Sequence, residues 1–217
     1  MKMDRASLAA HKFTPRLRSS ERYHSGSERK GIIRPPSGYT GSRNVHESGS
    51  ISKSIEVAGR IADQLAECGV KLVASLPDNW ISELISTLDR DTRFRHVPVN
   101  REESAIGLCS GAYMGGLGSA ALMGASGFMT VIYAITKINY SYEIPLLTII
   151  TLRGAFGDHH KHHESNGLYL QPVLQALAMP YTIIDKPEDI GEIGRAYRHS
   201  RTFARPTVVA LTRGLLK

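Results

Sequence analysis

From residue 51 onward the chain alternates short apolar runs with amphipathic helical stretches, and nothing constrains its fold more than this regular alternation. Ser54 is expected to cap a first helix carrying Ile55, Ala58, Ile61, Ala62 and Leu65, ended by Gly69. Val70–Leu76 is a short apolar strand stopped by Pro77, and Asp78 or Asn79 caps a helix with Ile81, Leu84, Ile85 and Leu88. Strand Phe94–Val99 precedes helix Arg101–Met114, and strand Ser119–Met123 precedes helix Phe128–Tyr140. Pro145–Leu152 reads PLLTIITL, the most apolar run, and is expected at the sheet centre. A polar loop follows, then a helix near Leu168–Ala178, strand Tyr181–Ile184, helix Glu188–Thr202 and strand Thr207–Leu211. Six strands, each separated from the next by a helix, imply an α/β fold. The expectation is a doubly wound six-stranded parallel sheet with helices on both faces and right-handed crossovers. Ligands in such sheets bind beyond the carboxyl ends of the strands. That directs attention to Asn100–Glu103, Gly124–Gly127 and Arg153–His163.

Residues 1–50 are of another kind: rich in Ser, Arg, Gly and Pro, without apolar periodicity. Such a segment cannot bury enough surface to offset its ordering entropy, so a disordered basic tail is expected there, with the folded domain over 51–217. Of the formal charge of +7, +6 belongs to that tail, which holds ten Lys/Arg against four Asp/Glu. The tail reads as an RNA- or acid-binding arm, as an Arg-rich transit peptide, or as an unselected extension. The near-neutral remainder argues against a nucleic-acid-binding core. No run of eighteen apolar residues appears, so no membrane span is expected, and no apolar signal region opens the chain. Cys68 and Cys109 form neither a disulfide framework nor a metal spacing and read as small buried hydrophobes; a reducing cytoplasm fits them.

Glu102 and Glu103 open a helix whose following residues are small: Ala105, Gly107, Cys109, Ser110, Gly111, Ala112. Either Glu is an ordinary occupant of a helix N-terminus, where the dipole favours it. So many small residues cost helix propensity, however, and make sense where another backbone or a flat ligand comes close. Gly124-Ala125-Ser126-Gly127 is read as a tight strand–helix turn or as an anion cradle. It is no nucleophile elbow, because Phe128 breaks the G-x-S-x-G spacing. Arg153-Gly154 leads into Asp158-His159-His160-Lys161-His162-His163. No acid or Cys at zinc spacing accompanies the four histidines, so no metal is assigned to them. The segment reads either as a solvated loop or as a cationic lid over an anionic substrate.

The segment VNREESAIGLCSGAYMGG resembles the thiamine diphosphate enzymes, in which a Glu opens a helix of small residues with Gly-Ala-Tyr nine positions on. Glu102 with Gly111-Ala112-Tyr113 fits that register; Glu103 is one residue out. From about Ser52 to Leu215 the chain is similar to the alpha subunit of sulfopyruvate decarboxylase, and nearly as much to phosphonopyruvate decarboxylase. The resemblance implies the pyrimidine-binding domain of the thiamine diphosphate fold, with Glu102 as catalytic residue and Glu102, Gly111, Ser126 and Gly127 around the cofactor. It further implies substrate contacts from Arg153 and from His159, His160, His162 or His163. Where this family carries Asn-Ser-Gly-Leu-Gly-Asn, the present chain departs at Ala125, Phe128, Met129 and Thr130. The Gly-Asp-Gly…Asn motif that holds Mg2+ and the diphosphate in these enzymes is absent. The implied cofactors, thiamine diphosphate and Mg2+, would therefore be shared with a diphosphate-binding beta subunit in a hetero-oligomer acting on a small anionic 2-oxoacid. The implied reaction is decarboxylation of sulfopyruvate. The competing readings are phosphonopyruvate decarboxylase or another thiamine lyase subunit, a non-catalytic binding subunit, and a basic adaptor working through the tail.

Overall fold

The computed structural model describes residues 45–155 and 158–216. Among them six strands form one parallel sheet: β1 Val70–Ser75, β2 Arg95–Pro98, β3 Gly118–Gly124, β4 Leu146–Thr151, β5 Tyr181–Ile184 and β6 Pro206–Leu211. Their order across the sheet is β2-β1-β3-β4-β6-β5. The expected doubly wound sheet is thus the observed one, and β4 lies in its middle with all six residues buried. Alternate residues of the strands feed two cores. Leu147 and Ile149 face helices α1 (Val45–Glu67), α2 (Ser82–Arg90), α7 (Glu192–Phe203) and α8 (Arg213–Leu216). Leu146 and Ile150 face α3 (Glu102–Met114), α4 (Ala125–Thr130), α5 (Ile132–Ile135) and α6 (Glu164–Ala176). A period of two on strands sandwiched between helices leaves no face for solvent, which is why β4 reads as continuously apolar.

Helix α1 buries Val57, Ala58, Ile61, Ala62 and Leu65 on one stripe and ends before Gly69, whose φ of 77° few other residues adopt. Three expectations need correction here. The helix begins at Val45, ahead of the domain boundary expected at residue 51; the rest of the tail lies outside the described residues. Ser54 is therefore no cap; its hydroxyl donates to the Leu216 carbonyl at 2.8 Å and ties α1 to α8. Ile55 is 51% exposed and off the buried stripe.

The remaining differences lie beside the strand ends. Helix α2 starts at Ser82 without a side-chain cap, because Asp78 is turned elsewhere. The helix expected over Phe128–Tyr140 starts at Ala125, immediately after β3, and is broken at Val131. It finishes as a π-helical turn, Thr136–Tyr140. There the buried Asn139 donates its amide to the Ser110 hydroxyl and the Ile144 carbonyl, a local demand that ends the regular ladder. Helix α6 starts at Glu164, four residues before the sequence expectation, after a 3-10 turn over Lys161–His163.

Truncating Ile149 to Ala should cost about 2–5 kcal/mol in denaturant melts, because a fully packed site cannot collapse around the void. Ile183 on edge strand β5 is 39% exposed, and the same change there should cost under about 1 kcal/mol.

Candidate active site

The loop after β1 leads to α2 on one face of the sheet, while the loop after β3 leads to α4 on the other. Such divergence opens a crevice at the carboxyl ends of the two neighbouring strands. An ion pair crosses it. Asp78, after β1, accepts from Arg153 Nη2 at 2.7 Å on one oxygen and from Nε at 3.2 Å on the other. Thr151 Oγ1 donates to the same carboxylate at 3.3 Å, and the Trp80 backbone N–H donates to it at 2.8 Å. The guanidinium lies over the Trp80 ring, 4.6 Å from its centroid. Gly124, the last residue of β3, sits directly beneath: a Cβ there would stand 2.7 Å from Asp78 Oδ2. The sequence marked Asp78 only as a candidate helix cap and did not mark Trp80, although Pro77-Asp78 follows a strand just as the three chosen segments do.

The histidine loop does not act as one cationic surface. His163 is buried, while His159, His160 and His162 are exposed. Arg153 Nη1 lies 2.8 Å from His163 Nε2, and His163 Nδ1 lies 2.7 Å from Asp158 Oδ2. An arginine can only donate, so Nε2 accepts and the ring proton sits on Nδ1, directed at Asp158. Burial alone would raise the Asp158 carboxyl. Hydrogen bonds from the Gly154 and His160 backbone N–H and from the His163 and His160 rings outweigh it and hold the group well below the usual carboxylate range. Lys161 is paired with Glu164. The chain can turn this tightly because Gly154 (φ 74°) meets the first turns of α6. A Cβ on Gly154 would lie 2.7 Å from the Gly167 nitrogen.

Ligand atoms of Asp158, His160 and His163 lie within 4.8 Å of one another. The donor set nevertheless does not suit a cation. A metal on His163 Nδ1 would leave a proton on Nε2, facing the Arg153 N–H and its positive charge. Outside this chain of bonds, Gly154, Asp158, His159, His160, Lys161 and Glu164 line a hollow of about 350 Å³. A cleft of about 410 Å³ runs past Pro77, Asp78, Asn79, Ser82 and His96. A smaller hollow of about 230 Å³ beside Tyr181, Arg195 and Thr207 is built from none of these loops. His96 accepts from the Ser75 hydroxyl at 2.7 Å and points Nδ1 at Asp89, 3.0 Å away. The order is that of a hydrolytic triad, but Ser75 is 1% exposed inside the core, out of reach of a substrate.

Glu102 is the first residue of α3, and its side chain rests on Gly127 in the first turn of α4. A Cβ at Gly127 would lie 2.6 Å from both Cγ and Cδ of Glu102, so any side chain there would have to push the Glu102 side chain from its seat. Glu103 instead forms a surface pair with Arg101 at 3.6 Å. Ser126, exposed beside Gly127, accepts from the buried Asn166 amide of α6 at 2.9 Å, another partner the sequence did not flag. The structure thus brings Glu102, Ser126 and Gly127 together and joins Arg153 to His163. Gly111, two and a half turns along α3, is about 13 Å further along the axis. Gly111 and Gly107 face outward, and a Cβ at either meets nothing within 4 Å, so whatever close approach they permit involves no described residue of this chain.

Replacing Asp158 by Asn should lower the melting temperature at pH 7. A carboxyl depressed in the folded state stabilises above its unfolded value of about 3.9 and loses that contribution as pH falls further. Melts of the two proteins should therefore converge below about pH 4. A gap independent of pH would assign the loss to packing.

No family model matches the chain. Among curated proteins it is similar to sulfopyruvate decarboxylase subunit alpha of Methanococcus maripaludis, 34% identical over 125 residues, 58% of this chain and 75% of the relative. The protein of the same name from Methanocaldococcus jannaschii is 29% identical over 129 residues, 59% of this chain and 76% of the relative. Phosphonopyruvate decarboxylase of Streptomyces viridochromogenes is 27% identical over 138 residues, 63% of this chain but 34% of the relative. Both named groups are those whose motifs Glu102 and Gly111-Ala112-Tyr113 resemble, and the first is matched over most of its length. The chain belongs to the sulfopyruvate decarboxylase alpha-subunit family.

Proposed function

We propose that this chain is the alpha subunit of a thiamine diphosphate-dependent carboxy-lyase that converts sulfopyruvate to sulfoacetaldehyde and carbon dioxide, with Glu102 as its catalytic residue. The observation that carries the proposal is the seat of Glu102. Of two adjacent glutamates, the one in the family register leans on Gly127 at the carboxyl end of the sheet, while Glu103 pairs on the surface. The surroundings fit a flat heterocycle: α3 presents Gly107 and Gly111 with open space in front, and Ser126 and Gly127 border Glu102. When bound, thiamine diphosphate supplies the electron sink for the pair released as the carboxylate leaves. Glu102 would exchange a proton with the pyrimidine ring nitrogen, a task for a carboxyl group that an amide cannot perform. Nothing in this sequence corresponds to the Gly-Asp-Gly…Asn motif, so Mg2+ and the diphosphate fall to a beta subunit. The outward glycines of α3, which no described residue covers, are consistent with a second polypeptide there.

The cationic-lid reading of the substrate loop changes shape. Arg153 is neutralised by Asp78 and Lys161 by Glu164, so a sulfonate would be met by the outward rings at the 350 Å³ hollow, His159 and His160, with His162 beside them. The phosphonopyruvate alternative keeps the same chemistry with a phosphonate in place of the sulfonate.

With a reconstituted partner, Glu102→Gln should retain assembly and lose about 10²–10⁴-fold in turnover, whereas Glu103→Gln should stay close to wild type. Equal losses would remove Glu102 from its assigned role. Replacing His159, His160 and His162 together by Gln should raise KM for sulfopyruvate and leave an uncharged 2-oxoacid less affected. A uniform effect on both substrates would leave the loop without a part in selecting the sulfonate.

A further inference from the structure

The mechanism above uses Glu102 and the outward loop residues. It leaves unused a partly buried chain of four polar side chains, Asp78, Arg153, His163 and Asp158, which joins the loop after β1 to the loop after β4. The weak link is His163. Each of the other three has partners besides it: Asp78 has Thr151 and the Trp80 N–H, Arg153 has Asp78, and Asp158 has two backbone N–H groups. Among the described residues, the side-chain bonds that carry the loop beyond Gly154 to the Arg153–Asp78 pair run through the His163 ring.

We infer that His163 is a positioning residue: its neutral ring, accepting from Arg153 and donating to Asp158, aims the guanidinium across the end of β3 and so sets the mouth against which the substrate binds. The inference rests on the proposed decarboxylase reading for its effect on turnover, but not for its geometry. The groups facing the ring can be enumerated. From its own loop come Asp158, the His160 and His162 rings at 5.1 and 4.2 Å, and the Lys161–Glu164 pair next in sequence. From the end of β4 comes Arg153, and from the loop after β1 come Asp78 behind Arg153 and the Trp80 ring at 6.0 Å. A proton added to the ring can go only on Nε2. There it would oppose a donor that is already present and already charged, so the Arg153 contact turns from attraction to repulsion while the Asp158 contact strengthens. Acidification therefore cuts the chain at one bond, between the two loops.

The chain carries its own reporter. Trp80 is the only tryptophan in the sequence, and it touches both Arg153 and His163. An imidazolium withdraws electron density from an excited indole where a neutral imidazole does not. The emission of the full chain should fall in a single step on acidification. His163→Gln keeps an acceptor near the Nε2 position, and His163→Asn keeps a donor near the Nδ1 position. Both should abolish the step. In the reconstituted enzyme the two should separate: Gln should raise KM for sulfopyruvate less than about threefold, and Asn about tenfold, the scale of one hydrogen bond to a charged group. In both, kcat should change less than KM. A flat emission in the wild-type chain, or a step that survives in both variants, overturns the inference, as does equal KM in Asn and Gln. An assembled enzyme that leaves sulfopyruvate untouched would sink the functional reading, and the emission titration would still decide the role of His163.

Discussion

The arrangement of the site depends on one partly buried ion pair, Asp78 with Arg153, laid across the end of β3. Such a pair is a doubtful source of stability, because removing two charges from water costs about as much as their attraction returns. Breaking one partner away is another matter, at about 3–5 kcal/mol, since the remaining charge is stranded. Its value here is geometric. The loops after β1 and β4 belong to strands separated by β3, and among the described residues no backbone hydrogen bond joins them directly. A planar fork meeting a carboxylate through two N–H groups fixes distance and orientation together. The lack of a side chain at Gly124, the placement of Trp80 and the orientation of His163 all follow from where that fork lies.

The six strands and their places were legible because apolar burial on both faces writes itself into sequence directly. Of the two cysteines expected to be buried, Cys109 is, its thiol pushed up to about 12 by that burial, whereas Cys68 is only half-buried. That Glu102 opens a helix next to a strand's carboxyl end was also legible, from the small residues behind it. What failed were features held by polar partners far away in sequence. The Lys161–Glu164 stretch looks like solvated loop by composition, yet it is a 3-10 turn entering α6, pinned by His163 and Asn166 pointing inward. Asp78 looks like a helix cap two residues before Trp80 and serves instead a guanidinium that comes 75 positions later.

Charge counting misleads for the same reason. Arg153, Lys161 and four histidines suggest a strongly cationic loop. In the fold, Arg153 is matched by Asp78, Lys161 by Glu164, and the His163 ring lies between an arginine that donates to it and a carboxylate that accepts from it. Composition reports which charges exist, whereas recognition depends on which are left unpaired at the surface.

The strand order has a consequence for the way the chain acquires its fold. The strip β2-β1-β3-β4 is complete once residue 151 exists, but β4 is then an edge: six consecutive buried positions with an unpaired ladder. The strand that covers it is β6, the last of the six, and β5 joins only through β6. On a ribosome adding about 5–20 residues per second, the stretch from Thr151 to Leu211 leaves that apolar edge open for several seconds. An open, flat, apolar edge is the surface on which chains pair wrongly with one another. The nascent protein should therefore need most protection after its central sheet has formed, and should lose that need when Pro206–Leu211 slides between β4 and β5.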